Sequence, residues 1–243
     1  MSEITLYNSD CLEQLKTIPE NSIDIIITSP PYNLGNTHHT REKRHKPYED
    51  NMPEEEYQKW QIEILKECFR VLTSSGSLLY NHKHRIKDGL AISPYEWLLK
   101  TPLKLKQMLI WVNGSPNFDK CRFFPFTEEI YWLSKTEKVQ FINKESFSNI
   151  FKWTPEGTGK FHSRAFPKKM IFDLLQCFPD SQAVLDPFMG SGTVGVVCKT
   201  FNKNFIGIEK NKTFFDYAKK RIDLDLPEDS KVKIENSQTN TLF

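Results

Sequence analysis

The sequence predicts an α/β protein: a mostly parallel, twisted sheet flanked by helices, with its functional residues at the carboxyl ends of strands. Two apolar runs, Ile23 to Ile27 and Ala183 to Leu185, read as buried strands. Each ends abruptly in turn residues, Thr28-Ser29-Pro30-Pro31-Tyr32 in one case and Asp186-Pro187-Phe188-Met189-Gly190-Ser191-Gly192-Thr193 in the other. A third run, Asn204 to Ile208, delivers Glu209, 23 positions after Asp186. Helical periodicity separates these runs, and open α/β sheets keep their ligands at the carboxyl ends of strands.

Taken in order, Ile4 to Tyr7 is strand-like, Cys11 to about Ile18 is helical, and Ile23 to Ile27 completes a β-α-β opening. The segment 33–51 is polar, with Arg41, Lys43, Arg44 and three histidines, and reads as a loop. Tyr57, Trp60, Ile64, Cys68 and Val71 recur at three or four residue intervals, one buried helical face behind an acidic first turn. Ser74-Ser75-Gly76 is expected to end that helix before a strand from Ser77 to Tyr80. Lys106 to Val112 and Glu129 to Ser134 read as two further strands bracketing a loop or hairpin. Phe141 to His162 is irregular. Pro167 to about Cys177 is helix-like, as is Thr193 to about Phe201 after the glycine turn. Phe214, Ala218 and Ile222 mark a last amphipathic helix, and the polar tail is expected to be partly disordered, with Lys231 to Glu235 able to form an edge strand.

With 243 residues, 38% of them apolar, the chain can bury the core of one large domain. The reading is a single catalytic domain over 1–226, with recognition elements at 33–51 and 83–160, and a polar tail at 227–243. No apolar run approaches the roughly 20 residues that span a bilayer, and the first residues lack a basic-then-apolar leader, so the expected location is cytoplasmic. Five widely spaced cysteines without a Cys-x-x-Cys pair predict reduced thiols and no metal site. The net charge of +2 is small, but His82 to Lys106 holds six Lys or Arg residues against two acids. That stretch reads equally as a DNA groove or a solvated face.

The two motifs carry the chemistry. At the glycine turn, Gly190 and Gly192 let a ligand approach backbone amides, and Glu209 is suited to accept both hydroxyls of an adenosine ribose. A third glycine and a phosphate loop are missing, which favours a nucleoside cofactor without a pyrophosphate. In the Ser-Pro-Pro-Tyr turn, the prolines fix the backbone and free carbonyl oxygens from local amide partners. Ser29 Oγ and the Pro30 carbonyl can then accept from an exocyclic amine and favour a pyramidal nitrogen whose lone pair is available to an electrophile. Tyr32 offers an aromatic face to a base swung out of the duplex.

On these motifs the chain resembles the amino-methyltransferases of DNA, which methylate cytosine N4 or adenine N6 with S-adenosyl-L-methionine. With the catalytic motif first and the cofactor turn late, it resembles the permuted β group. The resemblance implies the Rossmann-like methyltransferase fold with a small DNA-recognition region. It implies catalytic roles for Ser29, Pro30, Pro31 and Tyr32. It implies cofactor contacts from Asp186, Phe188, Gly190, Ser191, Gly192, Thr193 and Glu209. Asn8-Ser9-Asp10-Cys11-Leu12 matches the turn that meets the cofactor adenine, which adds Asp10 and Cys11. His162 and Ser163 match a cofactor segment in which many relatives carry His-Pro. Arg122 to Glu129 resembles a further family segment without an assigned role. Serine at the first motif position favours cytosine N4, with adenine N6 the alternative; an inactive DNA-binding relative and an RNA or protein methyltransferase rank below. Cytosine C5 chemistry is disfavoured because no cysteine follows a proline. Arg41, Lys43, Arg44, Arg85 and Arg122 are the expected DNA contacts. The expected partner is double-stranded DNA; the resemblance adds a homodimer and a cognate restriction endonuclease.

Overall fold

The computed structural model describes residues 2–34, 50–114, 122–154, 165–224 and 232–235. Among them, eleven strands and six helices follow in order. They are β1 (Ile4–Tyr7), α1 (Cys11–Leu15), β2 (Ile23–Thr28), α2 (Glu54–Val71), β3 (Leu72–His82), β4 (Arg85–Lys87), β5 (Leu90–Ile92), α3 (Tyr95–Leu98), β6 (Lys104–Val112) and β7 (Thr127–Ser134). Then come β8 (Ile150–Phe151), α4 (Lys168–Gln176), β9 (Ala183–Asp186), α5 (Thr193–Thr200), β10 (Asn204–Ile208), α6 (Lys212–Leu224) and β11 (Val232–Glu235).

Nine strands form one sheet in the order β11-β1-β10-β9-β2-β3-β7-β6-β8. Only β7 runs against its neighbours, pairing antiparallel with both β3 and β6. The apolar runs read from the sequence are strands buried on both faces. Ile25 and Ile27 of β2 enter the core under α4, α5 and α6, whereas Ile26 enters the one under α1, α2 and α3. The chain moves outward from β2 to β3 on one side and from β9 to β10 on the other. The crevice above the adjacent β2 and β9 is therefore a topological switch point, where such sheets bind ligands.

Several elements differ from expectation. The helix α2 ends at Val71, and Ser74-Ser75-Gly76 lies within β3 rather than beyond a helix end. Ile23 pairs with Leu72 and Ile25 with Ser77, so two steps along β2 match five along β3 and the Ser-Gly segment bulges out. The β4–β5 hairpin was missed, although Asp88 and Gly89 both take the positive φ that a tight hairpin turn needs. Within the tail segment 227–243, β11 adds to the sheet in parallel beside β1. Among the described residues no helix is long and apolar enough to cross a membrane.

Candidate functional site

The turn after β2 is held from below by a buried polar network. Tyr57 Oη on α2 lies 2.7 Å from the Pro31 carbonyl and 2.8 Å from His82 Nε2, and it accepts from Gln61 Nε2 at 3.0 Å. Gln61 in turn accepts from Tyr80, which accepts from the Trp97 indole. Burial pushes His82 down to about 3, so its ring is neutral. Its Nδ1 faces the Lys83 carbonyl at 2.8 Å and must carry the proton, which leaves Nε2 as an acceptor. The single Tyr57 hydroxyl proton is thus shared between His82 and Pro31. His82 also lies against the Tyr32 ring, with centroids 4.5 Å apart.

Tyr32 turns its hydroxyl inward. It donates to Glu128 Oε2 at 3.1 Å and receives Ser29 Oγ at 2.9 Å and Asn81 Nδ2 at 2.6 Å. Burial, and then the neighbouring Glu128 charge, hold Tyr32 well above its ordinary value. Because Ser29 gives its proton to Tyr32, its Oγ lone pairs remain as acceptors. Asn81 is 1% exposed and its Oδ1 has no partner among the described residues. Burial, then Glu128, raise the adjoining Glu129 to about 7.

The second turn is assembled at the ends of β9 and β10. Gly190 and Gly192 take φ of +52° and +77°, which reverses the chain into α5. Glu209 is 4% exposed, and its two oxygens accept from the amides of Gly190 at 3.0 Å and Asn211 at 2.7 Å. Those bonds fix the orientation of the carboxylate at the ends of β9 and β10. Ser191 and Thr193 are clamped by Arg221 of α6, whose Nη1 lies 3.1 and 2.8 Å from their hydroxyl oxygens. Phe188 packs edge-on against Trp60, giving an apolar wall. Asp10 caps α1 through Leu12 N at 2.9 Å and pairs with Lys210 at 3.1 Å. This donor set fits a nucleoside better than a pyrophosphate. The Gly190 amide is committed to Glu209 and the Gly192 amide to the Met189 carbonyl at 2.8 Å, so neither is free to cradle phosphate.

The two turns meet directly: Thr28 Oγ1 donates to Asp186 Oδ1 at 2.8 Å, across the β2–β9 pair. Asp186 Oδ1 also accepts from Phe188 N at 3.1 Å, so that one oxygen ties the two turns together. Burial raises it to about 7. Cys11, at the start of α1 beside Asp10, has its thiol buried in the core below α1. Arg85 needs correction as a DNA contact. It is 5% exposed and its two terminal guanidinium nitrogens, Nη1 and Nη2, each lie 2.7 Å from a Glu54 oxygen, beneath the rings of Tyr57 and Trp97. Arg122 is exposed beside Phe123, which is fully exposed. Arg41, Lys43, Arg44, His162 and Ser163 lie outside the described residues. Among the described residues no cluster of three His, Cys, Asp or Glu is placed to hold a metal. Sequence reasoning missed Tyr57, Asn81, His82, Glu128 and Arg221. Only the Glu128 segment carried a signal, its resemblance to a family segment.

A family model described as DNA methylase matches residues 23–220. The chain is similar to the Type II methyltransferase M.BglII of Bacillus subtilis, 30% identical over 88% of this chain and 67% of that protein. It is also similar to the Type II methyltransferase M.HinfI of Haemophilus influenzae, 30% identical over 90% of this chain and 68% of that one. Among solved structures, PvuII DNA methyltransferase (cytosine-N4-specific) superposes with a TM-score of 0.75 at 23% identity, over 95% of this chain and 89% of that one. A putative DNA modification methylase from Thermus thermophilus, solved in complex with S-adenosyl-L-methionine, gives 0.72 at 20% identity, over 97% and 99%. At these identities the two structures establish a shared α/β fold.

Proposed function

The chain belongs to the DNA methylase family, and we propose that it is a sequence-specific DNA methyltransferase acting on the exocyclic N4 of a cytosine swung out of the duplex. The observation that carries this reading is the Thr28–Asp186 bond, which joins an amine-accepting turn to a nucleoside-binding turn at one switch point. S-adenosyl-L-methionine, when bound, supplies an electrophilic methyl group. Glu209 accepts its ribose hydroxyls, Asp10 its adenine amine, and Gly190 to Thr193 wrap its methionine part. The target base stacks on Tyr32, an interaction worth roughly 1 to 3 kcal/mol. Ser29 Oγ and the Pro30 carbonyl accept from its amine and hold the nitrogen lone pair toward the methyl group. Ser29 is too weak a base to deprotonate a neutral amine, so the proton leaves after transfer.

Two observations favour cytosine over adenine: serine at position 29, and the similarity to a cytosine-N4-specific structure. Adenine N6 would use the same turns. The Type II methyltransferases among the relatives support a place in a restriction-modification system, with a cognate endonuclease as the companion activity. The test is a separation of binding from turnover. Pro31→Ala and Tyr32→Ala should each lower methyl transfer to DNA about ten-fold or more while cofactor affinity by calorimetry stays near wild type. Normal turnover in Tyr32→Ala would refute the stacking role.

A further inference from the structure

Glu128, the second residue of β7, ends the hydrogen-bonded chain that begins at Ser29. Three donors converge on its carboxylate: the Tyr32 hydroxyl at 3.1 Å and Asn81 Nδ2 at 3.0 Å on Oε2, and Asn113 Nδ2 at 3.3 Å on Oε1. A carboxylate only accepts, and that fixes every proton behind it. Asn81 must present its NH₂, since its carbonyl would otherwise face the carboxylate oxygen. Tyr32 has one proton and gives it to Glu128. The phenol oxygen, already receiving Asn81 at 2.6 Å, has none left for Ser29. Ser29 therefore turns its own proton inward to Tyr32, 2.9 Å away.

We propose that Glu128 is a positioning residue that sets the polarity of Ser29, making Ser29 Oγ an obligate acceptor toward the target base. An exocyclic amine, which offers two protons, then matches the site, and a base that presents a carbonyl at the same position does not. This extends the reading of the Ser-Pro-Pro-Tyr turn as the target-base site and rests on it. The acceptor is the point: a glutamine at position 128 could keep its carbonyl toward Tyr32 and Asn81, whereas a leucine is close in size and accepts nothing. Without an acceptor there, the Tyr32 proton is no longer fixed and can turn toward Ser29, and the Ser29 proton outward.

The experiment uses the full chain, S-adenosyl-L-methionine and a DNA duplex that the wild type methylates. Glu128→Leu should lower single-turnover methyl transfer about ten-fold or more, with cofactor affinity and KM for DNA within about two-fold. Tyr32→Phe keeps the ring and breaks the chain, so it should lose a similar amount. Adding Glu128→Leu to Tyr32→Phe should cost less than about two-fold more, because no chain remains to polarise. Wild-type turnover in Glu128→Leu, or losses that multiply independently in the double variant, would overturn the inference. If Glu128→Leu does not fold, Tyr32→Phe decides alone, and unchanged turnover overturns it. A wild type that transfers no methyl group to DNA would instead refute the functional reading beneath it.

Discussion

Replacing Asp186 by asparagine should make the protein more stable at pH 8, by an advantage that shrinks by roughly 3 kcal/mol on going down to pH 5. Asp186 is 2% exposed, and its Oδ1 is the acceptor for both Thr28 Oγ1 and Phe188 N. Asparagine keeps that oxygen, so both bonds survive the change. What it removes is a charge that burial disfavours, the same burial that raises the group from 3.8 to about 7. A carboxyl raised in the folded state holds its proton after the unfolded chain has released it. Stability therefore falls as pH rises between the two values and stays lower above the folded one. About two of the roughly three units separating those values lie between pH 5 and 7, and at about 1.4 kcal/mol per unit the wild type loses roughly 3 kcal/mol there. Asp186→Asn avoids that loss. The assay is urea unfolding followed by tryptophan fluorescence, with the two proteins compared at each pH so that other titrating groups, Glu129 and His82 among them, cancel. A difference that stays flat from pH 5 to 8, or an asparagine variant that is less stable at pH 8, would refute the reasoning.

Gly192→Ala should lower stability by about 2 to 4 kcal/mol. The residue has φ +77°, and a Cβ there would lie 3.0 Å from Ala218 Cβ and 3.1 Å from Ile222 Cδ1. An unchanged urea midpoint would show that the left-handed turn is not kept in solution. Tyr57→Phe leaves the buried Gln61 Nε2 without its acceptor and should cost about 1 to 3 kcal/mol by the same assay, together with lower turnover as the proline turn loosens. Unaltered stability and rate would remove Tyr57 from the support of that turn. Glu209→Gln should weaken S-adenosyl-L-methionine binding about ten-fold, read by calorimetry, since a hydrogen bond to a charged acceptor is worth roughly 1.5 to 3 kcal/mol. Undiminished affinity would exclude the ribose role.

The sheet was legible because its central strands are apolar on both sides and stop at distinctive turns. Ile23 to Ile27 and Asn204 to Ile208 need no partner information to be read as buried strands. The end of α2 was not legible in the same way. Ser74-Ser75-Gly76 has the composition of a helix terminus, but tertiary pairing draws it into β3 as a bulge. The catalytic turn was visible as a local string, yet the groups that orient it come from far along the chain. Tyr57 is 26 residues from Pro31, and Glu128 is 96 from Tyr32. No local periodicity brings such residues together. Arg85 shows the complementary failure, because a count of basic residues cannot separate a solvated cation from one locked to Glu54 beneath two aromatic rings.

The most direct test of the central claim identifies the product. Purified protein is incubated with S-adenosyl-L-methionine and unmethylated double-stranded DNA of mixed sequence, the DNA is digested to nucleosides, and methylated bases are identified by mass spectrometry. The account predicts N4-methylcytosine. N6-methyladenine would contradict the assignment of the target base drawn from Ser29, and 5-methylcytosine, or no methylated nucleoside at all, would contradict methyl transfer to an exocyclic amine of DNA.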